Sequence, residues 1–298
     1  MRVVTRPDLD GVVCAVILMD VLNVDPSVLW VQPSEMQRGE IDIKDSDIIA
    51  NLPYHNNCSL WFDHHYSNRP EFPVEGAFDI APSAAGIIYN YYHEQLKKDY
   101  EELVYQTDRI DSADLTLDEI LHPEEYPYVL LSMTITGEDP EKERYWDHLV
   151  DLLRRHPMDK VMLDPMVKQR AKKVVADNLA YEKALVAHTE MVGLVSVTDF
   201  REQDPAPDGN RFLIYSLFPD CTVNVKIVDK GENLTSIKVG HSILNKGCKV
   251  NVGKMLSSFE GGGHPGAGAC RFSRDKALDY LNRIIEILLE NKSDEASR

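Results

Sequence analysis

Short apolar runs alternating with helical stretches fill the first half of the chain, and this alternation constrains the fold more than any other feature. "RVVT" (Arg2–Thr5), "VLWV" (Val28–Val31), "DIIAN" (Asp47–Asn51) and "SLWFDHH" (Ser59–His65) have the length and composition of strands. Between and after them, "GVVCAVILMDVL" (Gly11–Leu22) is apolar nearly all round, as a buried helix is. "APSAAGIIYNYYHEQL" (Ala81–Leu96) places a Ser near a helix start and an apolar face at Ile87, Ile88 and Tyr91. Strands that alternate with helices predict an α/β fold with a largely parallel sheet. In such sheets ligand sites form beyond the carboxyl ends of the strands. The polar residues just past these strands are therefore the ones to test.

The texture changes at "MLDPMVKQRAKKVVADNLAYEKALVAHTE". Asp164 can cap, Pro165 suits a first helical position, and Val167, Ala171, Val174 and Leu185 recur at helical spacing. The spacing predicts one long helix to about Glu190, either a bridge between two lobes or a core helix of a single domain. Four β-rich segments come next: "MVGLVSVTDF", "RFLIYSLF", "CTVNVKIVDKG" and "LTSIKVGHSI". A Gly-rich loop and a helix over Lys276–Leu289 complete the pattern. The expected organisation is a parallel-sheet domain over 1–160, a linker helix over 161–190 and a smaller α/β domain over 191–298.

Composition excludes several classes. The net charge is −17, from 49 acidic and 32 basic residues, with no dense Lys/Arg block. Such a surface repels duplex nucleic acid, so a phosphorylated ligand would be small and held locally with a divalent metal. No run approaches the roughly 20 apolar residues of a membrane span, and "MRVVTRPDLDG" turns acidic before a signal peptide could develop. The 5 cysteines are scattered without a CxxC pair, which predicts a reducing cytoplasm and no structural zinc site.

Four polar clusters could carry chemistry. In "RPDLDG", Asp8 and Asp10 stand two residues apart in a loop entering a helix. They are either an N-cap and a turn acid or oxygen ligands for Mg²⁺ or Mn²⁺, because two such carboxylates repel without a cation between them. In "LWFDHHYSN", Asp63, His64 and His65 come after an apolar strand, and imidazole beside carboxylate serves metal binding or proton transfer. Asp108, in "VYQTDRIDSADLT", comes after a helix and begins a polar stretch. In "GGGHPGAGAC", successive glycines let backbone N–H groups converge on an anion beside His264.

The order PDxDG, DHH, a later Asp and GGGH resembles the DHH phosphoesterase superfamily with its DHHA1 domain, over roughly residues 1 to 290. The resemblance implies a DHH lobe with a parallel sheet, a linker helix, a smaller DHHA1 lobe and a cleft between them. It also implies Asp8, Asp10, His64 and Asp108 as ligands of Mn²⁺ or Mg²⁺, one or two per chain. Asp63 would orient His64, His65 would face the substrate phosphoryl group, and Gly261, Gly262, Gly263 and His264 would hold the far end of the substrate. Two positions depart from the family pattern: Val4 stands where relatives carry a histidine, and Asn51 where they carry a bridging aspartate. Asn51 offers a weaker oxygen donor, and His55 is either a surface histidine or a replacement ligand. His241, in "GHS", occupies the place of a substrate arginine. The expected function is a cytoplasmic, metal-dependent phosphoesterase of exopolyphosphatase-related or oligoribonuclease-like type. Its substrate would be polyphosphate, a nucleotide or a short oligonucleotide. The alternative is a degenerate relative that senses a phosphorylated small molecule. No membrane partner is expected; a homodimer is the common arrangement for such enzymes.

Overall fold

The computed structural model describes residues 1–22, 27–136, 141–231 and 233–293. The chain divides into two compact units, Met1–Leu115 with Pro123–Lys173, and Thr116–His122 with Val174–Arg298. The long helix runs over Pro165–His188, and the division falls inside it rather than leaving it as a separate linker. Its start is set by Asp164, whose Oδ1 accepts from Met166 N at 2.8 Å and Val167 N at 3.2 Å. Residues 116–122 join the second unit through Asn210, whose Nδ2 donates to Ile120 O at 3.1 Å.

The first unit is built on five parallel strands: β1 (Arg2–Thr5), β2 (Ser27–Trp30), β3 (Asp47–Ala50), β4 (Leu60–Asp63) and β5 (Gly76–Phe78). Their order is β2-β1-β3-β4-β5, with Val4 opposite Ile49 and Ile49 opposite Trp61. Because successive strand side chains alternate, Val3, Ile48 and Phe62 enter one core with the helix Leu9–Leu22, while Val4, Ile49 and Trp61 enter another. That helix is buried continuously from Leu9 to Met19, which is why its sequence lacks a polar face. Trp61 places its indole N–H on Leu52 O at 2.8 Å, so this large ring is buried without an orphaned donor.

The second unit carries six strands: β6 (Thr189–Val192), β7 (Val195–Asp199), β8 (Val223–Asp229), β9 (Leu234–His241), β10 (Gly261–His264) and β11 (Ala267–Ser273). The order is β10-β11-β9-β8-β7-β6, with only the β7–β8 pairing parallel. Val225, Ile227, Ile237, Val239 and Phe272 pack on one face with Leu281 and Ile284 of the helix Ala277–Glu290. Two expectations change here. "RFLIYSLF" forms a short helix, Leu213–Leu217, because an apolar run of this length has no decisive period. The glycines of "GGGHPGAGAC" lie in the β10–β11 hairpin rather than a loose loop: a Cβ on Gly261 would sit 2.4 Å from Ala269 O. Among the described residues, no helix is long and apolar enough to cross a membrane.

Candidate metal centre

The carboxyl ends of three adjacent strands, β1, β3 and β4, carry Arg6–Asp10, Asn51 and His64-His65. Asp10 sits in the first turn of the helix Leu9–Leu22 and is 1% exposed. Its Oδ2 accepts from Ala84 N at 3.0 Å and its Oδ1 from Ala85 N at 2.8 Å. Those amides open the helix Ala84–Tyr91, whose positive end favours a carboxylate. Ser83 caps that helix, accepting from Gly86 N at 2.9 Å. Gly11 is obligatory in "PDLDG", since a Cβ there would lie 1.8 Å from Arg6 O.

His64 leaves the end of β4 with its Nδ1 donating to Ala81 O at 2.9 Å. In the neutral ring this leaves the lone pair on Nε2. Nε2 is buried and has no hydrogen-bond partner. It lies 3.8 Å from Asp10 Oδ2 and 3.5 Å from Asp111 Oδ2. These separations are long for hydrogen bonds. They suit donors gathered about a small divalent cation, where bonds of about 2.1 Å set neighbouring ligands about 3 to 4 Å apart. Burial first, then the charge of Asp8, pushes Asp10 up to about 7; burial, then the charges of Asp10 and Asp8, pushes Asp111 up to about 7, and burial raises Asp8 as well. An unpartnered imidazole nitrogen between buried Asp10 and the partly exposed Asp111 is a donor set that fits one divalent cation.

Asp111, at the end of the helix Glu101–Asp111, stands where Asp108 was expected. Asp108 lies within this helix rather than after it, and Ser83 Oγ donates to its Oδ1. The two acids are three residues apart and share a helix face, so nothing in the residue pattern separates them. Asp63 also differs from expectation. Its fully buried carboxylate accepts from His64 N at 2.9 Å, Asn68 Nδ2 at 2.6 Å and His65 Nδ1 at 2.8 Å. It therefore orients His65, while Ala81 O orients His64. The cause is local: an aspartate at a strand end folds back on the next backbone amides, as in an Asx turn. Burial opposes charge on His65, but the hydrogen bond and charge of Asp63 outweigh it and hold the His65 pKa above its ordinary value.

No family model and no curated protein matches the chain. Solved structures do. The pGpG-specific phosphodiesterase PggH of Vibrio cholerae aligns with a TM-score of 0.83 at 28% identity, over 98% of this chain and 99% of that one. An exopolyphosphatase-related protein of Bacteroides fragilis aligns with a TM-score of 0.55 at 12% identity, over 96% of this chain and 92% of that one. RecJ of Thermus thermophilus, solved with Mn²⁺, aligns with a TM-score of 0.61 at 14% identity, over 98% of this chain and 52% of RecJ. These likenesses support the resemblance to the DHH/DHHA1 superfamily.

The two departures from the DHH pattern have structural counterparts. Val4 is fully buried in the apolar cluster of Val31, Ile49, Leu52 and Trp61. Asn51 donates through Nδ2 to Asp8 Oδ1 at 3.0 Å, and its Oδ1 is buried without a partner. Asp8 Oδ1 also accepts from Gly11 N at 2.9 Å, and its Oδ2 pairs with Arg6 Nε at 2.9 Å. An amide and a guanidinium thus occupy the carboxylate just past β1. His55 accepts from Asn57 N at 3.2 Å through Nδ1, a turn contact of its own. In the second unit His241 Nε2 donates to Val250 O at 3.0 Å, and its backbone N–H donates to Gly266 O at 2.8 Å. Burial lowers its pKa, and the neutral ring braces the hairpin turn. His264 is exposed on β10, next to Gly263, while a Cβ on Gly262 would meet nothing within 4 Å.

Proposed function

We propose that the protein is a divalent-metal-dependent phosphoesterase of small phosphorylated substrates. Among polyphosphate, nucleotides and short oligonucleotides, a linear dinucleotide is the favoured class. One observation carries the reading: the buried, unpartnered Nε2 of His64 facing Asp10 and Asp111. The likeness to the Vibrio cholerae phosphodiesterase over nearly the whole of both chains supports the choice of substrate. Asp10, His64 and Asp111 would hold Mn²⁺ or Mg²⁺. When bound, such an ion lowers the pKa of water and neutralises phosphate oxygens. His65, whose charged form is favoured by the Asp63 carboxylate, would protonate the leaving oxygen of the ester. Arg6 and Asn51 would place positive charge and a donor beside Asp8, where a second cation is usual in the superfamily. About one Mn²⁺ per chain by elemental analysis, with hydrolysis of linear pGpG to GMP, is the expected result. Protein that binds no Mn²⁺ and hydrolyses neither pGpG nor tripolyphosphate overturns it.

A second reading is a sensor that binds a phosphorylated ligand without turnover. It is favoured by Val4, which offers no ligand, and by Asp8, whose oxygens are both engaged. Tight pGpG binding without GMP release, in Mn²⁺-loaded protein, would select it.

A further inference from the structure

The helices Val252–Ser257 and Ala277–Glu290 pack with Val225, Ile237 and Val239 on one face of the second sheet. Strand side chains alternate, so His264, in register with Ala267, Gly240 and Asn224, belongs to the opposite face. On the helical side a hollow of about 390 Å³ is lined by residues of both helices. Its floor is apolar: Val250, Met255 and Phe259 are 6%, 8% and 1% exposed. Its rim is cationic, with Lys254, Arg283 and Lys292. Asn291 ties the walls together. Its Oδ1 accepts from Lys249 N at 2.7 Å and its Nδ2 donates to Gly247 O at 3.0 Å.

The positive charge is local. Residues 233–259 contain no Asp or Glu, in a chain with 49 of them and a net charge of −17, and Lys246, Lys249 and Lys254 fall in this stretch. The acids paired with the rim do not line the hollow. Asp279 lies 3.5 Å from Arg283 and Glu290 lies 2.9 Å from Lys292, and all four side chains are more than half exposed. Exposed pairs of this kind contribute little, so a bound anion can replace them. The Arg283 guanidinium also stands over the Phe259 ring, 5.1 Å from its centroid, which holds a cation directly above the floor.

We propose that this hollow is a second ligand site, for a small anion with a planar, apolar body, of the class of a nucleoside monophosphate. The anionic group sits among Lys254, Arg283 and Lys292, and the body rests on Met255 beside Phe259. The volume lies near the lower end of small-molecule pockets, about 300–1,000 Å³, which suits one such molecule and not a polymer. A lipid chain has no use for the Asn251 amide and the Ser258 hydroxyl that also line the hollow, whereas a heterocycle hydrogen-bonds to both. The assignment does not rest on the phosphoesterase reading, since no residue of the metal centre lines the hollow.

The test titrates 8-anilinonaphthalene-1-sulfonate, a fluorescent aromatic sulfonate, into metal-free, full-length protein and displaces it with GMP, inorganic phosphate or a polyglutamate peptide. Wild type should bind the dye saturably, and GMP should displace it far more readily than phosphate does. The double variant Lys254→Gln with Lys292→Gln should raise the Kd of dye and GMP by roughly tenfold or more, the loss of a charged contact. Both side chains are exposed, so its melting temperature should not change. Ser258→Trp, which fills the hollow without altering charge, should abolish both, while His264→Ala should leave both unchanged. Dye binding that is absent, or equal in wild type, the double variant and Ser258→Trp, overturns the site. Displacement by phosphate as readily as by GMP, or by polyglutamate alone, overturns the ligand class. Loss of GMP displacement in His264→Ala places the nucleotide on the other face of the sheet and overturns the proposal as well.

Discussion

Asp63→Asn tests the division of labour between the paired histidines. The carboxylate is fully buried, and His65 Nδ1 donates to it at 2.8 Å. The amide is isosteric, so its oxygen can keep the backbone contacts with His64 and His65. Its nitrogen would face Asn68 Nδ2, but Asn68 can turn its own amide over and accept instead. The fold should therefore survive. What is lost is charge. A hydrogen bond to a charged group contributes about 1.5–3 kcal/mol and a neutral one about 0.5–1.5. The difference, about 1 to 1.5 kcal/mol, favours the charged ring in the wild type, so the substitution lowers the His65 pKa. The His65 side chain is only 19% exposed, so little of this is lost to solvent screening. Because the His65 pKa is raised in the native protein, its charged form persists to higher pH, and activity should decline as pH rises through that value. In Asp63→Asn the decline should move to lower pH, while Mn²⁺ content stays near wild type because Ala81 O orients His64. The assays are NMR titration of the His65 ring, elemental analysis and a pH–rate profile. An unmoved His65 titration together with lost Mn²⁺ would refute the reasoning and return Asp63 to His64.

The neighbouring acids give a second contrast. Asp111→Asn should weaken Mn²⁺ at least tenfold by calorimetry, whereas Asp108→Asn should change it less, since Asp108 is bonded to Ser83. Asp10 and Asp111 are raised to about 7 without a cation, so binding must displace their protons. Mn²⁺ affinity should thus climb as pH rises from about 6 to 8. The same raised values mean the folded state holds these protons more tightly than the unfolded one. Metal-free stability in urea should therefore fall as pH rises from about 4 toward 7. In the hairpin, Gly262→Ala should leave the melting temperature near wild type, while Gly261→Ala should lower it sharply, because only the second places a Cβ against backbone.

Legibility in the residues divides along the range of the interactions involved. The strands β1, β3 and β4 were legible because each is a short apolar run ended by a polar residue, a pattern that depends on near neighbours alone. Asp10 and His64 were reachable because they lie just past such strands, and a parallel sheet brings the carboxyl ends of its strands to one edge. The choice between Asp108 and Asp111 depends on Ser83, 25 residues from Asp108, and no local pattern carries that information. Asp63 shows the converse: its fold-back onto the next residues is local, but the superfamily pattern pointed toward His64 and obscured it. A cross-strand pair in the second sheet belongs to the least legible class. Lys226 and Lys238 are unremarkable alternating residues in their own strands, and only the β8–β9 register makes them neighbours. Register is a long-range property, fixed here by burying Val225, Ile227, Ile237 and Val239 on the opposite face. The packing that stabilises the sheet therefore also forces two like charges together.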